Sequence, residues 1–304
     1  MRYCLTTALL AVFAALAAFA VPAVYSSLLS NDSLADREQL TSNKVAAGPA
    51  RAHTTAGGKP SVVVLASYPH DTEAFTQGLL VARQGNDKFF IESTGLYGKS
   101  TLRKVEIATG KVETKHDFDS KVFGEGVTLG RNGELVMITW QEKRGFTFSL
   151  SPAQSSGGSQ FKLQSEFPYE TFTSEGWGID YDGKHLVVSD GSEKIMFWDP
   201  ATKTSVREIT VTYEGDVVKY VNELEVANGF IYANVWYEKV IVKIDPADGK
   251  VVAVFDCTKI MAQSGATPGD TNAVLNGIAY DGDEDVFYLT GKLWGHVFKV
   301  RLQE

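Results

Sequence analysis

Phe123-Gly124-Glu125-Gly126 sets one carboxylate between two glycines, with an aromatic ring two residues ahead of it and the apolar Val127 and Leu129 behind it. Taken alone, a charged residue at the head of a strand pattern is either a solvated turn or a site. Recurrence favours a site, and it also decides the fold. A polar or indole residue, then Gly or Glu, then an aliphatic returns at Gln77-Gly78-Leu79, Glu125-Gly126-Val127, Trp177-Gly178-Ile179, Asn222-Glu223-Leu224 and Asn276-Gly277-Ile278. The intervals are 48, 52, 45 and 54 residues. Self-similarity at such a period marks an array of supersecondary units.

Between the repeat heads the pattern is one of short strands divided by turn residues. Lys88-Phe89-Phe90-Ile91-Glu92, Phe230-Ile231-Tyr232-Ala233-Asn234 and Val286-Phe287-Tyr288-Leu289-Thr290 are examples, and Asp-Pro or Gly-Lys turns follow many of the strand pairs. Such spacing reads as all-β. The one helical piece expected is at 258–263. An all-β chain with this period predicts a five-bladed β-propeller, in which four-stranded sheets surround a channel. Residues 61–304 number 244, which five units of similar length fill. The last unit, Asn276 to Glu304, has 29 residues and is about a strand short. The strand at 61–67 has no unit of its own, so it is predicted to complete that blade and close the ring, which removes exposed sheet edges. A β-sandwich or a pair of β-domains is the alternative.

The domain organisation expected is a signal anchor or signal peptide at 1–30, a flexible linker or stem at 31–60 and the propeller at 61–304. Residues 3–31 carry no charge over 29 positions, long enough for a membrane-spanning hydrophobic helix. Pro22 and the small-residue triplet Ala18-Phe19-Ala20 favour cleavage instead. Either way the chain is expected on the secretory side, in the lumen or outside the cell. An uncleaved segment would make it a single-pass membrane protein with a cytosolic N-terminus. Residues 31–60 are Ser, Thr, Asn, Ala, Gly and charge without a period, as in a linker.

Composition narrows the partners. The net charge of −8 and the absence of any basic run argue against nucleic acid. Five histidines, at positions 53, 70, 116, 185 and 296, show no paired metal-ligand spacing, and no cysteine pair supplements them. No metal and no cofactor are therefore expected. Cys4 lies in the targeting segment, which leaves Cys257 as a buried small hydrophobe. Gly-x-Ser-x-Gly and phosphate-loop signatures are absent.

In a propeller the first strand of each blade lines the channel, so Gln77, Glu125, Trp177, Asn222 and Asn276 should converge at one mouth. A second set lies about 15 residues further on: Glu92, Trp140, Ser192, Trp236 and Lys292. The intervening hairpin should return it to the same rim. Together the two sets offer acids, a cation, amides and three indoles, an apolar-walled pocket with a few convergent polar groups. Each residue also has a plainer reading. The tryptophans can be packing, as Trp198 is expected to be, Glu125 can be a backbone acceptor, and Lys292 can be solvated. Tyr68-Pro69-His70-Asp71 is expected to be a structural turn.

Six stretches in order resemble the plant- and bacterial-type glutaminyl-peptide cyclotransferases. They are Tyr68-Pro69-His70-Asp71 with Phe75-Thr76-Gln77-Gly78-Leu79, Glu92-Ser93-Thr94-Gly95-Leu96-Tyr97-Gly98, Phe123-Gly124-Glu125-Gly126, Gly176-Trp177-Gly178, Asn222-Glu223-Leu224-Glu225, and Leu275-Asn276-Gly277-Ile278-Ala279 with Thr290-Gly291-Lys292-Leu293-Trp294. The resemblance covers all five repeats. It departs only at the N-terminus and in the Ser- and Gly-rich loop at 151–160. It implies a five-bladed propeller without metal and the conversion of N-terminal glutamine in peptides or proteins to pyroglutamate with release of ammonia. Glu125 would be the acid–base group, with Asn222 and Lys292 as polar groups at the reacting end. Phe75, Gln77 and Phe123 would belong to the substrate pocket, with Trp140, Trp177 and Trp236 as its aromatic wall. A monomer acting on peptide N-termini is expected. Two other functions fit the residues: a non-catalytic propeller that binds peptide N-termini or a protein partner, and a calcium-dependent propeller hydrolase.

Overall fold

Continuous apolar runs such as Leu79-Leu80-Val81-Ala82 and Leu135-Val136-Met137-Ile138 form strands buried on both faces. Strands of that kind belong inside stacked sheets. The outer strands, such as Val112–Asp117 and Ser61–Pro69, alternate exposed and half-buried residues because one face meets solvent. The computed structural model describes residues 40–42, 59–151 and 160–304. The apolar segment at 1–30, most of the expected linker and most of the loop at 151–160 lie outside the described residues.

Five four-stranded antiparallel sheets form the blades of a propeller. Blade 1 is Thr76–Gln84, Asp87–Thr94, Thr101–Glu106 and Val112–Asp117. Blade 2 is Gly124–Leu129, Leu135–Thr139, Arg144–Ser151 and Gln160–Pro168. Blade 3 is Ile179–Tyr181, Leu186–Ser189, Lys194–Trp198 and Ser205–Thr210. Blade 4 is Val221–Ala227, Phe230–Val235, Val240–Ile244 and Val251–Asp256. Blade 5 is Leu275–Asp281, Val286–Gly291 and His296–Gln303, and its fourth place is taken by Ser61–Pro69, which pairs antiparallel with His296–Gln303 from Ser61↔Gln303 to Pro69↔His296. The ring closes through the N-terminal strand as the repeat arithmetic predicted.

Apolar clusters fill the interfaces between successive blades. Leu80, Phe89 and Leu102 of blade 1 pack with Val127, Met137 and Phe148 of blade 2, and Leu79 and Phe90 pack with Tyr288 and Val297 of blade 5. Trp198 is a core residue between blades 2 and 3, in tilted ring contact with Tyr169. Cys257 is buried as expected, and burial pushes its thiol up to about 12. The helix is shorter than the expected 258–263, spanning Thr258–Met261. Two features were not anticipated. Leu40 is buried in the blade 1–2 core, and Thr41 exchanges backbone hydrogen bonds with Arg83. A two-stranded hairpin, Thr212–Tyr213 with Asp216–Val217, is inserted between blades 3 and 4.

Buried carboxylates fasten the inner strands to one another. Glu223 of blade 4 accepts hydrogen bonds from Ile278 N of blade 5 (2.8 Å) and Leu79 N of blade 1 (3.4 Å). Asp180 of blade 3 accepts them from Thr128 Oγ1 of blade 2 (2.7 Å) and Val226 N of blade 4 (2.5 Å). These bonds fix the inner strands, and with them the side chains at the mouth.

Candidate active site

The repeat heads are irregular by design of the backbone. In four blades the pairing of the two inner strands slips there: between Thr76 and Gly78, Gly124 and Val127, Val221 and Leu224, and Leu275 and Ile278. A bulge re-aims the side chains it carries. The residues on these bulges are Gln77, Glu125, Asn222 and Asn276. In blade 3 the regular strand begins only at Ile179, and Trp177-Gly178 are held instead by bonds between Trp177 N and Ser189 O (3.1 Å) and between Ser189 N and Gly178 O (3.0 Å). Gly126 is required by its neighbour: a Cβ there would lie 2.6 Å from Ile179 N and 2.8 Å from Trp177 O. The second glycine of the opening motif is thus set by the approach of blade 3.

Glu125 is buried and accepts a hydrogen bond at Oε1 from Gln77 Nε2 (2.8 Å). Gln77 is held in turn by Asn276, whose Nδ2 donates to Thr76 O (2.9 Å) and approaches Gln77 Oε1 at 3.4 Å. Burial pushes the Glu125 carboxyl well above the ordinary 4.5. The charge of Lys292 pulls it partly back, and the carboxylates of Glu175 and Glu142 push it further up. Lys292 is itself buried, and burial lowers its ammonium to about 8 against the opposing pull of Glu125. Its Nζ stands 4.6 Å over the Phe75 ring, a cation–π contact. Asn222 and Asn276 each bury an Oδ1 that has no hydrogen-bond partner among the described residues. Unsatisfied acceptors in a native site call for a ligand or a role.

Half-buried aromatic rings surround this polar group. Phe123 contacts Phe75 edge-on (6.3 Å), Trp140 (5.4 Å) and Tyr97 (5.3 Å), and Trp177 meets Trp236 edge-on at 5.5 Å. The pairs continue round the mouth from blade 1 to blade 4. All nine residues expected at the site therefore lie at one end of the ring: Gln77, Glu125 and Asn222 on the bulges, Phe75, Phe123 and Trp177 just ahead of the first strands, and Trp140, Trp236 and Lys292 just after the second strands.

Two members of the predicted second set have other work. Glu92 does not face the mouth as an available acid. It accepts hydrogen bonds from Thr76 Oγ1 (2.7 Å) and His70 Nε2 (2.9 Å), and Arg103 lies 3.7 Å from its other oxygen. Burial would raise its carboxyl, but His70 and Arg103 hold it below 4.5. His70 Nδ1 also donates to Trp294 O (2.8 Å), so Tyr68-Pro69-His70-Asp71 is structural, but it is not the turn expected: Tyr68 and Pro69 end the closing strand, and only His70 and Asp71 leave it, with His70 bracing the Lys292 loop. Ser192 is used up locally, its hydroxyl donating to Asp190 Oδ1 at 2.5 Å. The residues missed are on the rim. Tyr97 OH donates to Glu142 Oε1 (2.7 Å), while Glu175 accepts from Gln141 Nε2 (2.8 Å) and Trp177 Nε1 (2.9 Å). The only signal for Glu142 and Glu175 was their position two residues from wall tryptophans.

Among the described residues no group of three or more His, Cys, Asp or Glu side chains is placed to hold a metal ion. The arrangement offers one carboxyl held well above the ordinary carboxylate range by burial, one cation of low basicity, neutral amides and an aromatic wall. Such a site can fold a small polar end group against rings and move a proton.

Comparison with known proteins places this geometry in context. The family model for glutamine cyclotransferase matches residues 38–302. A glutaminyl-peptide cyclotransferase of Arabidopsis thaliana is 40% identical over 246 residues, 80% of this chain and 72% of that protein. The crystal structure of Myxococcus xanthus glutaminyl cyclase aligns with a TM-score of 0.70 and 33% identity, covering 81% of this chain and 97% of that one.

Proposed function

The chain belongs to the glutamine cyclotransferase family, and from that premise we propose how its mouth carries out the reaction. The protein is an enzyme that converts an N-terminal glutamine to pyroglutamate. The α-amine attacks the side-chain amide carbon, a five-membered lactam forms, and the C–N bond to the amide nitrogen breaks to release ammonia. The substrate supplies its own proximity. What the protein must add is a folded-back side chain, a proton route and a home for the oxyanion.

Glu125 carries the proton. As the carboxylate it takes one from the attacking amine and returns it to the departing nitrogen. A group with its pKa near the working pH does both best, and burial moves the Glu125 carboxyl upward, in that direction. Gln77 holds Oε1, which leaves Oε2 to face the substrate. Lys292, protonated below about 8, donates to the oxygen of the tetrahedral intermediate. Asn222 Oδ1 accepts from the substrate's amine or amide N–H, because it is buried without another partner among the described residues. Phe75, Phe123, Trp140, Trp177 and Trp236 pack the methylene groups of the glutamine and keep water from the developing charge.

One observation carries this reading: the buried, upshifted Glu125 with a single neutral donor, beside a buried lysine. Incubating the full chain with a glutamine-initiated peptide tests the reaction. Ammonia and a product lacking a free amine are expected in equal amounts, and binding without either would leave only a peptide-binding propeller. We also propose delivery to the secretory lumen, held to the membrane by the uncharged stretch at 3–31. Retention of the full chain in carbonate-washed membranes supports the anchor, and recovery of native protein starting near Val21 would overturn it in favour of a cleaved signal with the same delivery.

A further inference from the structure

A cavity of about 380 Å³ opens beside the reaction site, between the hairpin Thr212–Tyr213/Asp216–Val217 and the second strand of blade 4. It shares a wall with that site. Trp236 turns one edge to Trp177, and it also packs against Tyr220 (6.3 Å) and Tyr237 (4.4 Å). Val218 and Val235 contribute to its apolar lining, and Tyr213 and Tyr220, both exposed, contribute rings. Its polar lining is unbalanced: Glu214, Asp216 and Glu238 face a single cation, Lys219. None of these four forms an ion pair with a described residue.

We infer that this cavity is a subsite for a lysine or arginine side chain in one of the two residues that follow the substrate's glutamine. The inference rests on the cyclisation reaction proposed above. In that reaction the glutamine's amine and side chain are buried, so the rest of the peptide leaves from its carbonyl and must cross the rim. On the side of blades 1 to 3 the rim residues are bonded to one another, Tyr97 to Glu142, Gln141 to Glu175 and Glu175 to Trp177. On the side of blade 4 the rim is hollowed by this cavity, and the next side chains meet a preformed space. Trp236 belongs to both spaces, packed against Trp177 on one side and lining the cavity on the other, and an extended peptide that advances roughly 3.3–3.6 Å per residue crosses a single indole within one or two residues.

The chemistry of the lining selects the occupant. A lysine or arginine stem is apolar and lies along valine and aromatic surface, while its head stays polar. The head then meets ring faces and three carboxylates against one ammonium. An acidic side chain would meet the same carboxylates as repulsion. The hairpin is fixed to the fold rather than draped over it. Thr212 N donates to Gly249 O (3.0 Å), Val218 N to Val211 O (2.9 Å), Tyr220 N to Gly191 O (3.0 Å) and Trp236 N to Tyr220 O (2.9 Å). Little ordering is left for binding to supply, which favours affinity.

The test compares kcat/KM for glutaminamide, Gln-Arg-Ala, Gln-Ala-Arg, Gln-Phe-Ala, Gln-Glu-Ala and Gln-Ala-Glu, each with an amidated C-terminus, at low ionic strength. Turnover of glutaminamide establishes the reaction independently of the subsite, so its absence would overturn the reading beneath this one. The basic peptides are expected to exceed the acidic ones by roughly five- to tenfold, the yield of a few partly exposed charge contacts. Asp216→Asn with Glu238→Gln should bring that ratio towards unity, and Lys219→Gln should increase it. The two variants move the ratio in opposite directions, so a loss of folding in one leaves the other decisive. Equal rates for basic and acidic peptides, or a preference for Gln-Phe-Ala that these variants do not alter, would overturn the subsite.

Discussion

Glu92 and Glu125 are both buried carboxylates on adjoining blades, 1% and 4% exposed, and their surroundings drive them in opposite directions. Glu92 has a histidine, a threonine and an arginine around it, and its pKa falls. Glu125 has one neutral amide and one lysine of weakened basicity, with two further carboxylates nearby, and its pKa rises. Burial alone therefore does not mark a catalytic acid. What separates Glu125 from Glu92 is burial with too few partners to hold the charge, and what separates it from Glu223, also raised by burial, is that Glu223 is spent on the backbone amides of Ile278 and Leu79. The saturated carboxylate is the brace and the undersaturated one is the tool.

The largest effect should come from the tool. Glu125→Gln keeps the size and the bond to Gln77 but cannot titrate, so kcat should fall by roughly 10²–10⁴. KM should change little, because the aromatic wall and Gln77 remain. The comparison breaks if the variant loses thermal stability while the folded fraction keeps a normal kcat.

Lys292 sharpens the contrast from the other side. Lys292→Met removes an oxyanion donor, with an expected loss on the order of 10²-fold in kcat. It also removes the charge that lowers the Glu125 pKa, so the acid limb of the pH–rate profile should move to higher pH. Lys292→Arg keeps a charge that does not titrate. The alkaline limb that Lys292 imposes at about 8 should then move upward. Profiles of both variants that superpose on the wild type would separate Lys292 from Glu125.

The brace should behave in reverse. Glu92→Gln strips the counter-charge from His70 and Arg103, and breaking a buried pair costs roughly 3–5 kcal/mol. The kcat of the folded fraction should stay within a few-fold of normal. The pH dependence has a definite sign. Burial lowers the His70 pKa, but Glu92 raises it to a net value above 6.5, so its contribution is fully present below 6.5 and is lost as pH rises through the folded value. Glu92 is lowered below 4.5, so its contribution is present above 4.5 and is lost as pH falls through its folded value. The stability gap between wild type and Glu92→Gln should thus be widest between those limits. A gap that does not vary with pH would mean that the pair is not ionised.

The contrast also explains what the sequence could reveal. The repeat heads were legible because each blade needs an apolar inner strand at a fixed period, and Glu125 interrupts one with a charge between glycines. Glu92 sits at the matching place on the second strand, so counting put it on the rim beside Lys292. Its true partners could not be counted. His70 belongs to the connection that follows the closing strand, and only ring closure brings it to Glu92 and to Trp294, 224 positions away. The hairpin beside Trp236 was hidden for a related reason. Its strands are only two residues each, too short for any period to register. Leu40 was hidden because a single apolar residue in a polar, aperiodic stretch gives no pattern.

The central claim is the ionisation of one carboxyl. Infrared difference spectra of the wild type minus Glu125→Gln, recorded from pH 4 to pH 9, isolate it. A protonated carboxyl band that persists well above 4.5 and then disappears in step with the acid limb of kcat/KM is the expected result. A Glu125 already ionised at pH 4, with no band to lose, would contradict the account.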